Sequence, residues 1–294
     1  MVKNTSLIFL LLSFAACVSY AQSSLSDTSY LKWCVYSLAD DSMGGRLAGS
    51  GYEEKAAIWI AQQLKENKIN PFFKKNYYQG FEWTADSVNN ISFNVIGTIN
   101  NYADKTIIIG AHYDHVGMGG KRSRSYGKHN VHNGADDNAS GVAAMLYVAA
   151  ELRRNGSKNY NYLFIAYGAH EPGLFGSQYF VDSNIVNPGS IRLLVNFDMI
   201  GRVSQSEPVL FWSSTDTTLN LNNVTKDNNQ MRCKEIDLPP GDHTAFADKK
   251  TPVLFLTTGV HDDYHKISDD ADKINYPGIL GVCRIVIETI SALK

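Results

Sequence analysis

Residues 106–114 read Thr-Ile-Ile-Ile-Gly-Ala-His-Tyr-Asp, a short β-branched strand that runs directly into a histidine and an aspartate. β-branched residues favour strands, so this run predicts a strand. Within an extended segment, the two-residue spacing puts His112 and Asp114 on the same face. An imidazole can then meet a metal ion while a nearby carboxylate holds its ring. Taken alone, this pair is weak evidence, because a structural histidine is the commoner explanation.

Similar runs recur on both sides of this strand and alternate with helical patterns. Further strands are predicted over residues 93–96, 162–166, 193–197, 209–212 and 253–256. Helices are predicted over residues 52–66, 141–152 and 276–293, where apolar residues recur at helical spacing. This alternation indicates an α/β fold with a largely parallel sheet. No repeat or domain boundary interrupts it, so we expect one domain over residues 22–294.

The composition is that of a globular protein with 294 residues, 44% of them hydrophobic. The 27 Lys and Arg residues nearly balance the 29 Asp and Glu residues, and the net charge is −2. Such a balance argues against disorder and against a nucleic-acid partner bound by bulk electrostatics. Three cysteines follow the N-terminal segment, with no Cys-x-x-Cys motif, so we expect at most one disulfide bond.

The first 21 residues have the pattern of a secretory signal. Lys3 is followed by an apolar segment, residues 7–16, that is too short to span a bilayer, and cleavage is expected after Ala21. A second interpretation is a lipoprotein signal, with Cys17 as the lipid anchor, and a third is an N-terminal core helix. We therefore predict a secreted or periplasmic protein, or one lipid-anchored at the cell envelope, with no transmembrane segment.

Acidic and histidine residues follow several predicted strands. Besides His112, they are Asp198 after the strand at 193–197, Glu171 after the strand at 162–166, and His265 after the strand at 253–256. Asp137 lies in a Gly-rich loop that opens the helix at 141, where capping of that helix is the simpler explanation. Because ligands bind at the carboxyl ends of strands in open α/β sheets, we expect these residues to converge.

Two imidazoles and three carboxylates suit a pair of divalent cations, with zinc as the first choice. Two dications against three carboxylates leave one positive charge, which a bridging hydroxide would neutralise. Paired metals activate water and polarise a carbonyl group, so amide hydrolysis is the expected chemistry.

From about residue 44 to the C-terminus, the sequence resembles the M28 family of zinc aminopeptidases. The matching motifs are Gly-Gly-Arg-Leu-Ala-Gly-Ser at 44–50, His-Tyr-Asp-His at 112–115, His-Asn-Gly-Ala-Asp-Asp-Asn-Ala-Ser-Gly at 132–141, Glu-Pro-Gly-Leu-Phe-Gly-Ser at 171–177, Asn-Phe-Asp-Met-Ile-Gly-Arg at 196–202, Asp-His at 242–243, and Asp-Tyr-His at 263–265 with Asp269. The resemblance implies a three-layer α/β/α sandwich with a mixed, mostly parallel central sheet. It also implies an aminopeptidase that acts on peptides with a free N-terminus.

The resemblance assigns roles to individual residues. Asp137 would bridge two zinc ions, in a motif where a cis peptide bond commonly follows the bridging carboxylate. One ion would also take His112 and Asp198, and the other would take Glu171 and His265. Asp114 would orient His112, and Tyr264 would stabilise the oxyanion.

One departure from the family concerns the general base, because His170 stands where the family usually has a glutamate. Histidine can act as a base near neutral pH, although two nearby dications would disfavour its protonated form. Three interpretations stay open: a substitute base, a hydrolase of weak or altered specificity, and a metal-binding pseudoenzyme. A glutaminyl cyclase-like acyltransferase is the alternative within the same fold.

Four further histidines lie near the motifs. We expect none of them to be a primary metal ligand, and at most one or two to contact substrate or the ligands themselves. They are His115, His129, His132 and His243.

Overall fold

The computed structural model describes residues 26–125, 130–224 and 231–293. The predicted signal segment, the alternative lipid site at Cys17 and His129 lie outside these residues. Within them, no helix combines the length and the apolar character that a membrane span requires. Cys34, Cys233 and Cys283 are free and buried, so they form no disulfide bond with one another.

A mixed sheet forms the centre of the molecule. Its strands in the described residues are β1 (Asn70–Pro71), β2 (Tyr78–Ala85), β3 (Val88–Ile99), β4 (Lys105–His112), β5 (Tyr160–Tyr167), β6 (Ile191–Phe197), β7 (Val209–Ser214), β8 (Arg232–Glu235) and β9 (Val253–Thr257). The spatial order is β1-β3-β5-β4-β6-β9-β7-β8, and β2 also pairs with β3. The central strands β5, β4, β6 and β9 are mutually parallel, whereas β3 and β7 join them in antiparallel fashion.

Helices cover both faces of this sheet. They are α1 (Asp27–Leu38), α2 (Gly51–Glu66), α3 (Gly141–Asn155), α4 (Phe175–Asp182), α5 (Leu221–Val224), α6 (Thr244–Asp248) and α7 (Tyr276–Ala292). Successive residues of β4 point to opposite faces, so Ile107 and Ile109 join the core under α1, α2, α3 and α7. Ile108 joins the smaller core under α4 and α6. The three-layer α/β/α fold with a mixed sheet is therefore confirmed.

Local sequence signals explain where the long helices begin. The Ser50 hydroxyl accepts hydrogen bonds from the first turn of α2, and Asn275 caps α7 in the same way. Pro277 in the first turn of α7 costs no hydrogen bond there. All six predicted strands and all three predicted helices are confirmed, with boundaries that shift by a few residues. Helices α1, α4, α5 and α6 and strands β1, β2 and β8 were not predicted.

The parallel direction of the central strands brings their carboxyl ends to one edge of the sheet. His112 is the last residue of β4, and Asp198 directly follows β6. Glu171 lies four residues after β5, and His265 follows β9. The topology thus delivers four of the predicted ligands to the same edge, and the loop before α3 adds Asp137.

Candidate metal centre

The five residues predicted as metal ligands converge at this edge. His112 Nε2 lies 3.3 Å from Asp137 Oδ1 and 3.5 Å from Asp198 Oδ1. His265 Nε2 lies 3.2 Å from both Asp137 Oδ2 and Glu171 Oε1. Asp137 therefore stands between two donor groups and turns one oxygen toward each. That is the arrangement expected of a bridging carboxylate.

The loop at residues 135–140 holds Asp137 in this position through backbone contacts. Asp269 Oδ2 accepts hydrogen bonds from the backbone N–H groups of Asp136 and Asp137, at 3.0 and 3.1 Å. The Asp137–Asn138 peptide bond is cis, as expected from the motif. Asn138 Oδ1 accepts from the Gly141 N–H group, so Asn138 makes the cap contact of α3. The carboxylate of Asp137 is left free for the site.

Asp114 contacts the next loop more closely than it contacts the His112 ring. Its two carboxylate oxygens accept from the backbone N–H groups of His170 and Glu171, at 2.9 and 3.0 Å. Its carboxylate is 3.9 Å from His112 Nδ1, whereas its backbone carbonyl oxygen is 3.2 Å from that nitrogen. The carboxylate thus positions the segment that carries His170 and Glu171. The ring of His112 is held by the carbonyl.

His170 lies flat against His112 and is bound by a buried aspartate. The two imidazole rings are 3.7 Å apart between centroids and 11° from parallel. His170 Nδ1 lies 2.8 Å from Oδ2 of Asp242, which is fully buried. Burial and the neighbouring His112 both lower the pKa of His170, but the Asp242 carboxylate outweighs them and raises it to about 9. The sequence motif at 242–243 marked Asp242 but suggested no role for it.

Tyr264 lies over the second half of the site. Its ring stacks on His265 with centroids 3.9 Å apart, and the guanidinium of Arg124 lies 4.6 Å from its centroid. Burial, followed by the charge of Asp137, raises the pKa of Tyr264 well above the usual value. The phenol therefore keeps its proton at neutral pH and can donate a hydrogen bond.

The remaining histidines separate into two kinds. His115 Nδ1 lies 3.3 Å from Glu171 Oε1 and 3.7 Å from Asp137 Oδ2, within the donor cluster. This position differs from our expectation that His115 stands outside the ligand set, because the chain turns its ring inward after β4. His132 and His243 instead bind backbone carbonyls. A histidine that the sequence did not suggest, His261, approaches Asp136 at 3.0 Å.

The donor atoms fit a bound cation. His112 Nε2, both ring nitrogens of His115 and Glu171 Oε1 are buried without a hydrogen-bond partner. Leaving such groups unsatisfied is costly, and a metal ion would satisfy those that face the cluster, namely His112 Nε2, His115 Nδ1 and Glu171 Oε1. Within the part of the chain that the structure describes, two groups of donors lie close enough to hold an ion, and their imidazole and carboxylate composition suits zinc. They are His115, Asp137, Glu171 and His265, and His112, His170 and Asp198.

A cavity of about 290 Å³ opens beside these residues. Polar groups from the site, namely Asp137, His170, Glu171, Asp198 and Tyr264, line part of it. Its apolar lining includes Ile236, Pro239, Pro240, Phe255 and Val260. The cavity thus offers an apolar surface next to the donor cluster.

Comparison with known proteins finds leucine aminopeptidases among the relatives. Leucine aminopeptidase 1 from Pyrenophora teres f. teres is 27% identical over 164 residues, which are 53% of this chain and 39% of the relative. Probable leucine aminopeptidase 2 from Aspergillus fumigatus is 30% identical over 192 residues, 64% of this chain and 35% of the relative. The chain therefore spans well under half the length of these curated relatives.

Several solved structures share the fold. A zinc aminopeptidase from Bacillus subtilis matches with a TM-score of 0.73 at 16% identity, covering 90% of this chain and 94% of the other. A leucine aminopeptidase precursor from Bacteroides thetaiotaomicron gives a TM-score of 0.75 at 18% identity, covering 91% and 97%. A glutaminyl cyclase from the same organism gives 0.74 at 18% identity, covering 91% and 98%. The model of peptidase family M28 matches residues 94–290, and the chain belongs to that family.

Proposed function

We propose that this protein is a metal-dependent aminopeptidase that hydrolyses N-terminal peptide bonds of peptides with a free N-terminus. The observation that carries this proposal is the convergence of the five donor residues around Asp137, beside a partly apolar cavity. Membership of peptidase family M28 and the leucine aminopeptidases among the relatives support it. We propose two zinc ions, one held by His112, Asp137 and Asp198, and the other by Asp137, Glu171 and His265.

Bound zinc would supply a nucleophilic water near neutral pH and would polarise the scissile carbonyl group. His170 is proposed as the base: because Asp242 holds Nδ1, the Nε2 atom is free to take the proton from the attacking water. The same atom can pass that proton to the departing amine. Bound cations would lower the pKa of His170 from about 9 toward neutrality, since they disfavour the imidazolium ion.

Tyr264 is proposed to stabilise the negative charge that develops on the carbonyl oxygen. Its phenol keeps its proton, lines the cavity and stacks on His265. Asp114 is proposed to hold His170 and Glu171 in position by accepting hydrogen bonds from their backbone N–H groups. The proposed mature protein is one domain that starts near Gln22, exported either in soluble form or with a lipid at Cys17.

Glutaminyl cyclase activity is the second candidate, because a cyclase matches the fold as well as the aminopeptidases do. A peptide with N-terminal glutamine distinguishes the two activities. A cyclase would close the glutamine side chain onto its own amine and release ammonia, while the peptide bond stays intact. An aminopeptidase would release free glutamine.

The test uses zinc-loaded protein from Gln22 onward with matched free and N-acetylated peptides, including one that begins with glutamine. We expect release of the first residue from the free peptides only, and loss of this release after chelation. Cyclisation without release would support the second candidate. No reaction with any peptide, although zinc is bound, would make the protein a metal-binding pseudoenzyme.

A further inference from the structure

His115 is buried without the hydrogen bonds that a buried imidazole normally makes. Its side chain is fully inaccessible, and neither Nδ1 nor Nε2 has a hydrogen-bond partner among the described residues. His132 is equally buried, yet its nitrogens contact the Asn130 carbonyl oxygen at 2.9 Å and the Ser123 hydroxyl at 2.7 Å. Because an unsatisfied buried polar group is costly, Nδ1, the nitrogen that faces the carboxylates of Asp137 and Glu171, calls for a ligand.

The atoms around His115 Nδ1 have the spacing of a zinc coordination shell. Nδ1 lies 3.3 Å from Glu171 Oε1 and 3.7 Å from Asp137 Oδ2, and His265 Nε2 lies 3.2 Å from each of these oxygens. Zinc binds nitrogen and oxygen at about 2.0–2.2 Å, so the corners of a regular tetrahedron lie roughly 3.3–3.6 Å apart. The four contacts, at 3.2–3.7 Å, lie within about 0.1 Å of this range.

Ring orientation distinguishes His115 from His170, the other histidine that lies in the donor cluster but is not among the five predicted ligands. The rings of His115 and His265 are 82° apart with centroids at 5.5 Å, so they approach from different directions. The rings of His112 and His170 are 11° from parallel at 3.7 Å. The lone pair of an imidazole nitrogen lies in the ring plane. In two stacked, nearly parallel rings these lone pairs run parallel and do not converge on one ion. The geometry therefore favours His115 as a ligand and leaves His170 as a base.

The backbone holds His115 in place without help from its side chain. Its N–H group donates to the Arg46 carbonyl oxygen at 3.1 Å. Gly134, at φ 55°, lies against the ring, and a Cβ atom there would be only 2.6 Å from it. The site thus has room for the imidazole and keeps it facing the donor cluster.

We propose that His115 Nδ1 is a fourth protein ligand of the ion held by Asp137, Glu171 and His265. That ion would have a closed shell of two histidines, one aspartate and one glutamate, as structural zinc sites have. The ion held by His112, Asp137 and Asp198 keeps an open position for water and substrate. The two sites then differ in affinity, and the His115 site fills first. This inference rests on the metal centre of the proposed function.

Zinc competition against a chromophoric chelator tests the proposal. The proteins are wild type, His115→Ala, His115→Gln and the control His132→Ala, which removes a buried histidine outside the cluster. We expect the tighter dissociation constant to rise at least about tenfold in both His115 variants, while the weaker constant changes little. Wild-type constants in a folded His115 variant would overturn the proposal.

A crystal structure of the wild-type protein with one equivalent of zinc gives a test that needs no variant. We expect the ion in the His115 site, with Nδ1 about 2.0–2.1 Å away. Water in that position, or first occupancy of the other site, would overturn the inference and leave the proposed function intact. If the wild type binds no zinc, the proposed function fails as well.

Discussion

The His170–Asp242 hydrogen bond decides which nitrogen of the imidazole is available to the reaction. Asp242 is fully buried and its carboxylate accepts from Nδ1, so Nε2 is the atom left to accept a proton. We expect His170→Ala to lower kcat by about 10²–10⁴-fold, the usual contribution of a general base, with zinc content unchanged. Asp242→Asn replaces a charged acceptor with a neutral one and should lower kcat less, with KM unchanged.

Steady-state kinetics with zinc content measured on the same samples checks this prediction. Asp237→Asn is the matched control, because Asp237 is exposed and close in sequence. An unchanged kcat in His170→Ala would remove this histidine from the mechanism. Loss of zinc from that variant would instead make it a metal ligand.

At the scale of elements, Arg46 joins three segments that meet behind the donor cluster. Its guanidinium donates to the carbonyl oxygens of Leu38, Tyr113, Asn133 and Gly134, at 2.6–2.8 Å, and its side chain is fully buried. It thus ties the end of α1 to the segment after β4 and to the loop before α3. Lysine has one nitrogen and cannot reach these divergent acceptors.

We expect Arg46→Lys to lower the free energy of unfolding by about 2–4 kcal/mol, because it leaves buried carbonyls unpaired. Urea denaturation of the metal-free protein measures this change. Arg153→Lys serves as the control, since Arg153 is exposed and its Nε atom donates to the Lys68 carbonyl oxygen at the surface. It should change stability by less than about 0.5 kcal/mol. Equal effects in the two variants would contradict the role of Arg46.

The sequence predicted those elements whose own pattern of apolar residues identifies them without knowledge of their neighbours in the fold. The central strands are continuous apolar runs, and their carboxyl ends meet because parallel strands share one edge. Strand β2 was missed because it alternates buried and exposed residues around Gly80, and its hairpin turns at Asp86 and Ser87, both with positive φ, without the usual glycine or asparagine.

The same distinction applies within the site. The five proposed ligands lie at strand ends or in a recognisable loop, so their convergence follows from topology. The contacts of His115 and Asp242 depend on side-chain direction across distant segments: Asp242 meets a residue 72 positions earlier in the chain. Neither periodicity nor spacing carries that information.

For the whole molecule, the donor cluster concentrates negative charge in the interior. Asp114, Asp137 and Asp242 are buried, and Glu171 and Asp198 are partly buried beside them. Without a cation, histidines supply the opposing charge; the carboxylates of Asp137 and Glu171 outweigh burial and raise the pKa of His265 to about 10. Zinc would replace these protons, so metal binding and folding are coupled.

We therefore expect zinc to stabilise the folded protein. Free zinc at 1,000 times its dissociation constant adds about 4 kcal/mol per site to the free energy of unfolding. For a chain of about 270 residues, that corresponds to a rise in Tm of roughly 7 °C per occupied site over the chelated protein, measured by scanning calorimetry. Magnesium is the control, since it prefers oxygen ligands and keeps several waters, and it should shift Tm much less. Equal shifts with both ions would mean that the imidazoles take no part in binding. No shift with zinc would mean that the buried cluster is stable without a metal.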